Sequence, residues 1–167
     1  GFFQDRSLSK QSEDCLTLNI CSNNIKAKNP VMIWIHGGAL VTGGSSSIMY
    51  DLEHLAKKGV VVVSINYRLG PLGFLRLDDA TNGQINSSGN EGLMDQRNAI
   101  KWVKENISSF GGDSNNITIF GESAGSWSCN LQIAAGHDKL FQKAICQSGG
   151  LDAIATKEKA NQWAELF

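Results

Sequence analysis

Two stretches, VMIWI (Val31 to Ile35) and VVVSI (Val61 to Ile65), are near-continuous apolar runs rich in β-branched side chains. Such a run has no wet face to alternate with a dry one, so it suits a central parallel strand covered on both faces. ITIF (Ile117 to Phe120) and KAICQS (Lys143 to Ser148) read as shorter strands of the same kind. CLTLNI alternates instead, with Leu16, Leu18 and Ile20 on one face, and reads as a half-buried strand. Parallel neighbours need crossovers, and helical stretches lie between the runs. The pattern predicts a short helix over Tyr50 to Lys58, a long one over Glu91 to Ile107 and another over Ala124 to Ala135. A last helix is predicted from near Thr156. In the long helix Leu93, Ala99, Ile100, Val103 and Ile107 approximate one apolar stripe, and Ser88 and Glu91 have capping-box spacing. Strands alternating with helices imply an α/β domain with a largely parallel sheet. Ligands bind such sheets beyond the carboxyl ends of the strands.

At one of those ends stands FGESAGSW (Phe120 to Trp127). Ser123 follows a strand, precedes a helix and has Gly121 and Gly125 two residues to either side, the context of a nucleophile elbow. The turn is sharp, and flanking side chains would collide, so both glycines are expected to form it. The strain holds Oγ out of the fold, and the helix starting at Ala124 offers free N–H groups to a developing oxyanion. The bland alternative is a serine in a tight glycine-rich turn. At a second strand end, WIHGGAL (Trp34 to Leu40) is similar to the HGGG-type loop that supplies oxyanion N–H groups. The expected donors are the N–H groups of Gly38, Ala39 and Ala124. His36 is expected to point inward and position this loop rather than act as a base. His54 reads as a face residue of a short helix and His137 as a loop residue.

The rest of the composition excludes more than it assigns. The chain has 167 residues and a formal net charge of -1, so no basic field points to nucleic acid. No apolar stretch approaches the roughly 20 residues of a bilayer span, and none at the N-terminus has signal-peptide layout. The compartment stays open, secreted and periplasmic ones included. The chain starts at Gly1 and its first methionine is Met32, so a piece of a longer chain is expected. Cys15, Cys21, Cys129 and Cys146 form no C-x-x-C pair and read as small buried apolar residues. No metal or organic cofactor is implied. N-x-S/T sequons stand at Asn86, Asn106 and Asn116, two of them at an expected helix end and strand start.

Taken together, SEDCLTLNI, VMIWIHGGAL, VVVSINYRLGPLGFL, GNEGLMDQRNAIKWVKENISSFGGD, NITIFGESAGS and LFQKAICQSG resemble, in the same order, the type-B carboxylesterase/cholinesterase family of α/β hydrolases. The resemblance implies an incomplete α/β-hydrolase domain over residues 1–167, the N-terminal to middle part of a mostly parallel sheet with flanking helices. It implies Ser123 as the acyl-forming nucleophile, with Gly38, Ala39 and Ala124 as oxyanion-hole donors. It implies that Glu122 shapes active-site electrostatics and that Asp95 and Arg97 tie the long helix to the sheet. Trp127 reads equally as an acyl-pocket wall or as core. Cys15 is paired in many eukaryotic members with an upstream cysteine that this chain lacks, and Leu40 replaces a common aromatic. The implied substrate is a small-molecule carboxylic ester; choline ester specificity is not implied.

Triad order in this fold is Ser, then Asp or Glu, then His. After Ser123 the sole histidine is His137. The acid and base are therefore expected beyond Phe167, and these residues alone are expected to show little turnover. A rival reading is a non-catalytic hydrolase-fold binding or adhesion module. A third, a structural fragment with an exposed sheet edge, applies if the polypeptide ends at Phe167.

Overall fold

The computed structural model describes residues 11–50, 52–136, 139–151 and 154–167. Five strands form one sheet: β1 (Leu18–Cys21), β2 (Asn29–Ile35), β3 (Val61–Ile65), β4 (Gly112–Glu122) and β5 (Lys143–Gln147), in the order β1-β3-β2-β4-β5. β1 runs antiparallel to β3, and every other pairing is parallel. The helices are α1 (Leu52–Ala56), α2 (Gly70–Phe74), α3 (Glu91–Asn106), α4 (Ala124–Ala134) and α5 (Lys157–Glu165).

The β-branched runs do what their composition demands. All five residues of β3 are buried, and in β2 Val31, Ile33 and Ile35 are fully covered. The other face of β2 is closed by aromatics, with the Trp34 ring 5.0 Å from Tyr50 and 4.9 Å from Phe120. Ile100, Val103 and Ile107 pack from the α3 side onto Val31, Ile117 and Ile119 in one core. Among the described residues β5 pairs only with β4, and four of its five residues are exposed there.

Several local readings are sharpened. α3 starts one residue after Asn90, not after Ser88. Glu91 still reaches back, its carboxylate accepting from the N–H groups of Ser88 (2.6 Å) and Gly89 (3.0 Å). The Ser88 hydroxyl, however, accepts from Asn90 N–H at 3.1 Å rather than from Glu91, so only half of a capping box forms. α5 begins where expected, with Thr156 Oγ1 accepting from Lys159 N–H at 3.3 Å. α2, opened by Pro71, carried no helical signal strong enough to be read. Of the cysteines, only Cys129 is fully buried, and burial pushes its thiol up to about 12. Cys146, on β5, is exposed among the described residues, where it reads as buried in the sequence; Cys15 forms no disulfide with the described residues. Asn106 does close α3 and Asn116 lies within β4, while Asn86 is exposed in the segment before α3.

The polar tie between α3 and the sheet is made by Asp95 alone of the two expected residues. Its carboxylate accepts from Arg68 Nε (2.8 Å), Arg68 Nη2 (2.9 Å) and Arg68 N–H (3.1 Å), just after β3. Arg97 is exposed and has no hydrogen-bond partner among the described residues. A helix turns 100° per residue, so residues 95 and 97 cannot face the sheet together. Asp95→Ala should therefore cost about 2–4 kcal/mol in urea unfolding by stranding a bidentate arginine, whereas Arg97→Ala should stay within about 0.5 kcal/mol.

Candidate active site

The parallel register brings the ends of β2 and β4 level, with Ile35 opposite Gly121. The chain then leaves β4 by a single strained residue. Ser123 has φ 55° and ψ −121°, a region that residues with a Cβ avoid, and α4 starts at the next residue. Two bonds hold the turn: Ser123 N–H donates to Gln147 O at 2.9 Å, and Trp127 N–H donates to Ser123 O at 3.0 Å. The serine hydroxyl itself has no hydrogen-bond partner among the described residues.

The flanking glycines are required by contact rather than by φ. A Cβ on Gly125 would drive into the Ile35 carbonyl, and one on Gly121 would lie 2.5 Å from the Gly125 carbonyl carbon. α4 thus crosses the ends of β2 and β4 with backbone against backbone.

The loop after β2 closes on the same place. A Cβ on Gly37 would sit 2.7 Å from Glu122 O and 3.3 Å from Ser123 Cβ. Gly38, Ala39 and Leu40 then take φ values of 114°, 56° and 62°. The Gly38 carbonyl turns away to accept from Val41 and Thr42 N–H, both at 3.0 Å. The N–H groups of Gly38 and Ala39 donate to no described residue, and Ala124, as the first helical residue, has no intrahelical acceptor. Three N–H groups without an acceptor among the described residues thus stand on the loop and the helix start that meet at Ser123. Such a set can stabilise negative charge on an oxygen brought beside the hydroxyl. Glu122 is exposed at the strand end, its carboxylate 3.5 Å from the position of a Gly37 Cβ.

His36 lies beneath this loop at 1% exposure. Its Nδ1 is 2.8 Å from Gly37 O, and its ring stacks on Tyr67 at 4.4 Å. Tyr67 in turn donates its hydroxyl to His36 O at 2.7 Å, a support that the tyrosine in NYRLG did not announce. Neither His36 nitrogen bonds Ser123, and Nε2 has no partner at all among the described residues. Burial holds the imidazole below its ordinary 6.5, in the neutral form. His54 is exposed on α1, which packs on β3 and β1 rather than near Ser123. His137 lies outside the described residues.

Trp127 is half-buried and walls a groove of about 410 Å³ shared with Leu40, Phe74, Leu131 and Trp163. Among the described residues no three His, Cys, Asp or Glu side chains gather to hold a metal ion, and no helix is long and apolar enough to cross a membrane.

A serine forced into positive φ between a parallel strand and a helix marks an α/β hydrolase, and the match to solved structures bears this out. A Geobacillus stearothermophilus carboxylesterase superposes with a TM-score of 0.88 at 46% identity, over 92% of this chain and 34% of that one. A solved PNB esterase gives 0.83 at 46% identity, over 93% of this chain and 33% of that one. More narrowly, the chain belongs to the carboxylesterase family, whose model matches residues 2–167. It is 50% identical to the para-nitrobenzyl esterase of Bacillus subtilis (strain 168) over 163 residues, which are 96% of this chain and 32% of that protein. It is 47% identical to the bile salt-activated lipase of Bos taurus, over 92% of this chain and 27% of that protein. The chain thus spans about a third or less of the length of these curated relatives.

Two outcomes follow from this geometry. Gly125→Ala should cost at least about 3 kcal/mol, or prevent folding, because the obstructing atom is a backbone carbonyl in the sheet centre; urea denaturation reads it. His36 is neutral when folded, and its folded pKa lies below its unfolded one. Its contribution is therefore complete above about pH 6.5 and is lost as pH falls through the lowered folded value. The difference in unfolding free energy between wild type and His36→Phe should narrow as pH drops from 7 to 5.

Proposed function

We propose that the protein to which this chain belongs hydrolyses small-molecule carboxylic esters through an acyl-enzyme on Ser123. One observation carries the reading: Ser123 is held at positive φ between β4 and α4, and its hydroxyl has no hydrogen-bond partner among the described residues. In this reading Oγ attacks the ester carbonyl. The carbonyl oxygen, becoming an oxyanion, accepts hydrogen bonds from Gly38, Ala39 and Ala124, each worth about 3 kcal/mol in the transition state. The alcohol leaves, and water then releases the acid from Ser123. Glu122 adds negative potential beside the site, which favours the imidazolium formed when the base takes the serine proton. The groove walled by Leu40 and Trp127 takes the acyl chain.

Ser123 needs a base, and neither His36 nor His54 is placed to serve it. We assign the acid and histidine to sequence beyond Phe167, and residues 1–167 to one incomplete hydrolase domain. The names of the relatives, an esterase and a lipase, support an ester substrate. The near-balanced charge offers no support for a nucleic-acid partner. A non-catalytic binding module is not favoured, since such a role has no use for a strained serine and unspent donors.

In the complete protein, turnover of p-nitrophenyl acetate should fall by at least about 10⁴-fold in Ser123→Ala, and fluorophosphonate labelling of residue 123 should vanish. Residues 1–167 alone should show little turnover. Fast turnover by them that is lost in Ser123→Ala would place a base inside this stretch.

A further inference from the structure

α4 and β5 each carry one cysteine, Cys129 and Cys146, and the reading of Ser123 uses neither. The topology sets them against each other. Cys146 stands opposite Gly121 in the parallel β4–β5 pairing, and directly paired residues of neighbouring strands send their side chains to the same face of a sheet. At Gly121 that face is the one α4 covers, since a Cβ there would lie 2.5 Å from the Gly125 carbonyl carbon. Cys129 comes four residues after Gly125, so one helical turn returns it to the sheet-facing side of α4. Ala144, two residues before Cys146 and on the same face of β5, packs against the core cluster that includes Cys129.

The contact between the two is direct. A side-chain hydrogen bond joins the thiols, and neither belongs to a disulfide in this structure. Polar ties hold helix and strand in register around them. Ser126 Oγ donates to Gly149 O at 2.9 Å, Asn130 Nδ2 donates to the same carbonyl at 3.2 Å, and Ser123 N–H donates to Gln147 O at 2.9 Å. The other two cysteines are out of reach. Cys21 ends β1 and Cys15 precedes it, while β3, β2 and β4 stand between β1 and β5. Four strand spacings make about 19 Å, whereas the Cα atoms of bridged cysteines lie within about 7 Å of each other.

We infer that Cys129 and Cys146 are a redox pair that hydrogen peroxide closes into one disulfide, clamping the elbow helix to β5. Cys146, exposed among the described residues, reacts first. Its sulfur attacks one peroxide oxygen, the O–O bond breaks, water leaves and a sulfenic acid remains. The Cys129 sulfur then attacks the Cys146 sulfur, the S–O bond breaks and a second water carries off the Cys129 proton. The two thiols give up two electrons, and the peroxide takes them. Burial, and then the neighbouring Cys146 thiol, push Cys129 up to about 12, so its attack is the slow step. The clamp ties residue 129 to residue 146 and so restricts the unfolded chain. Ser123 and the N–H donors take no part, and the inference stands apart from the esterase reading.

The test uses the complete protein, oxidised with hydrogen peroxide while folded, beside Cys146→Ser and Cys129→Ala treated alike. Peptide maps made without reduction should show Cys129 joined to Cys146, lighter by the two hydrogens lost and separated again by dithiothreitol. Dimedone added early should trap the sulfenic acid on Cys146. The midpoint of urea unfolding should rise by about 0.5–1 M on oxidation of the wild type and stay in place in both variants. The inference is overturned if Cys146 oxidises beyond the sulfenic acid while Cys129 stays open to alkylation once unfolded. It is equally overturned if both thiols survive the peroxide, if either joins another cysteine, or if the cross-link forms and the midpoint does not move. Loss or retention of fluorophosphonate labelling at Ser123 bears on the esterase reading alone.

Discussion

The site depends on how closely the backbone of α4 approaches the ends of β2 and β4. Gly125 rests against the Ile35 carbonyl and Gly121 against Gly125, so no side chain separates helix from sheet at this point. That contact forces the connection into one residue, and the one residue must take an unfavourable φ. Strain at Ser123 is thus a consequence of packing, compensated by the buried strands on either side. Val31, Ile33, Ile35, Ile117 and Ile119, all fully buried, hold the two strand ends immobile while the turn is bent.

The same logic runs through the loop after β2. Ala39 and Leu40 hold positive φ without being glycine, and they do so over a buried support. His36 and Tyr67 stack beneath the loop, and the Tyr67 hydroxyl accounts for the His36 carbonyl. The neutral imidazole matters in this place, since a buried cation below the loop would need a paired counter-charge. The Gly38 carbonyl is satisfied by Val41 and Thr42, while the N–H groups of Gly38 and Ala39 have no acceptor among the described residues.

Much of this was legible in the sequence because it rests on short-range rules. β-branched runs announced the central strands, G-x-S-x-G between strand and helix announced the elbow, and Thr156 announced the start of α5. What stayed hidden was non-local. Nothing in DQRN says which polar residue reaches the sheet; rotation along α3 sends Asp95 to Arg68 and Arg97 to solvent. Cys146 and Cys129 look alike in composition, yet among the described residues one is exposed on β5 and the other buried in α4.

By itself, then, the sequence determined the α/β class, the order of its elements and the two glycine-bearing turns, since periodicity and backbone sterics act within a few residues. Tertiary structure alone decided that those turns meet. Residues 37 to 39 and residue 123 are more than eighty positions apart. They come together because β2 and β4 pair in parallel, with Ile35 level with Gly121. Register between strands is a long-range property, fixed by which faces are buried together, and no local pattern encodes it.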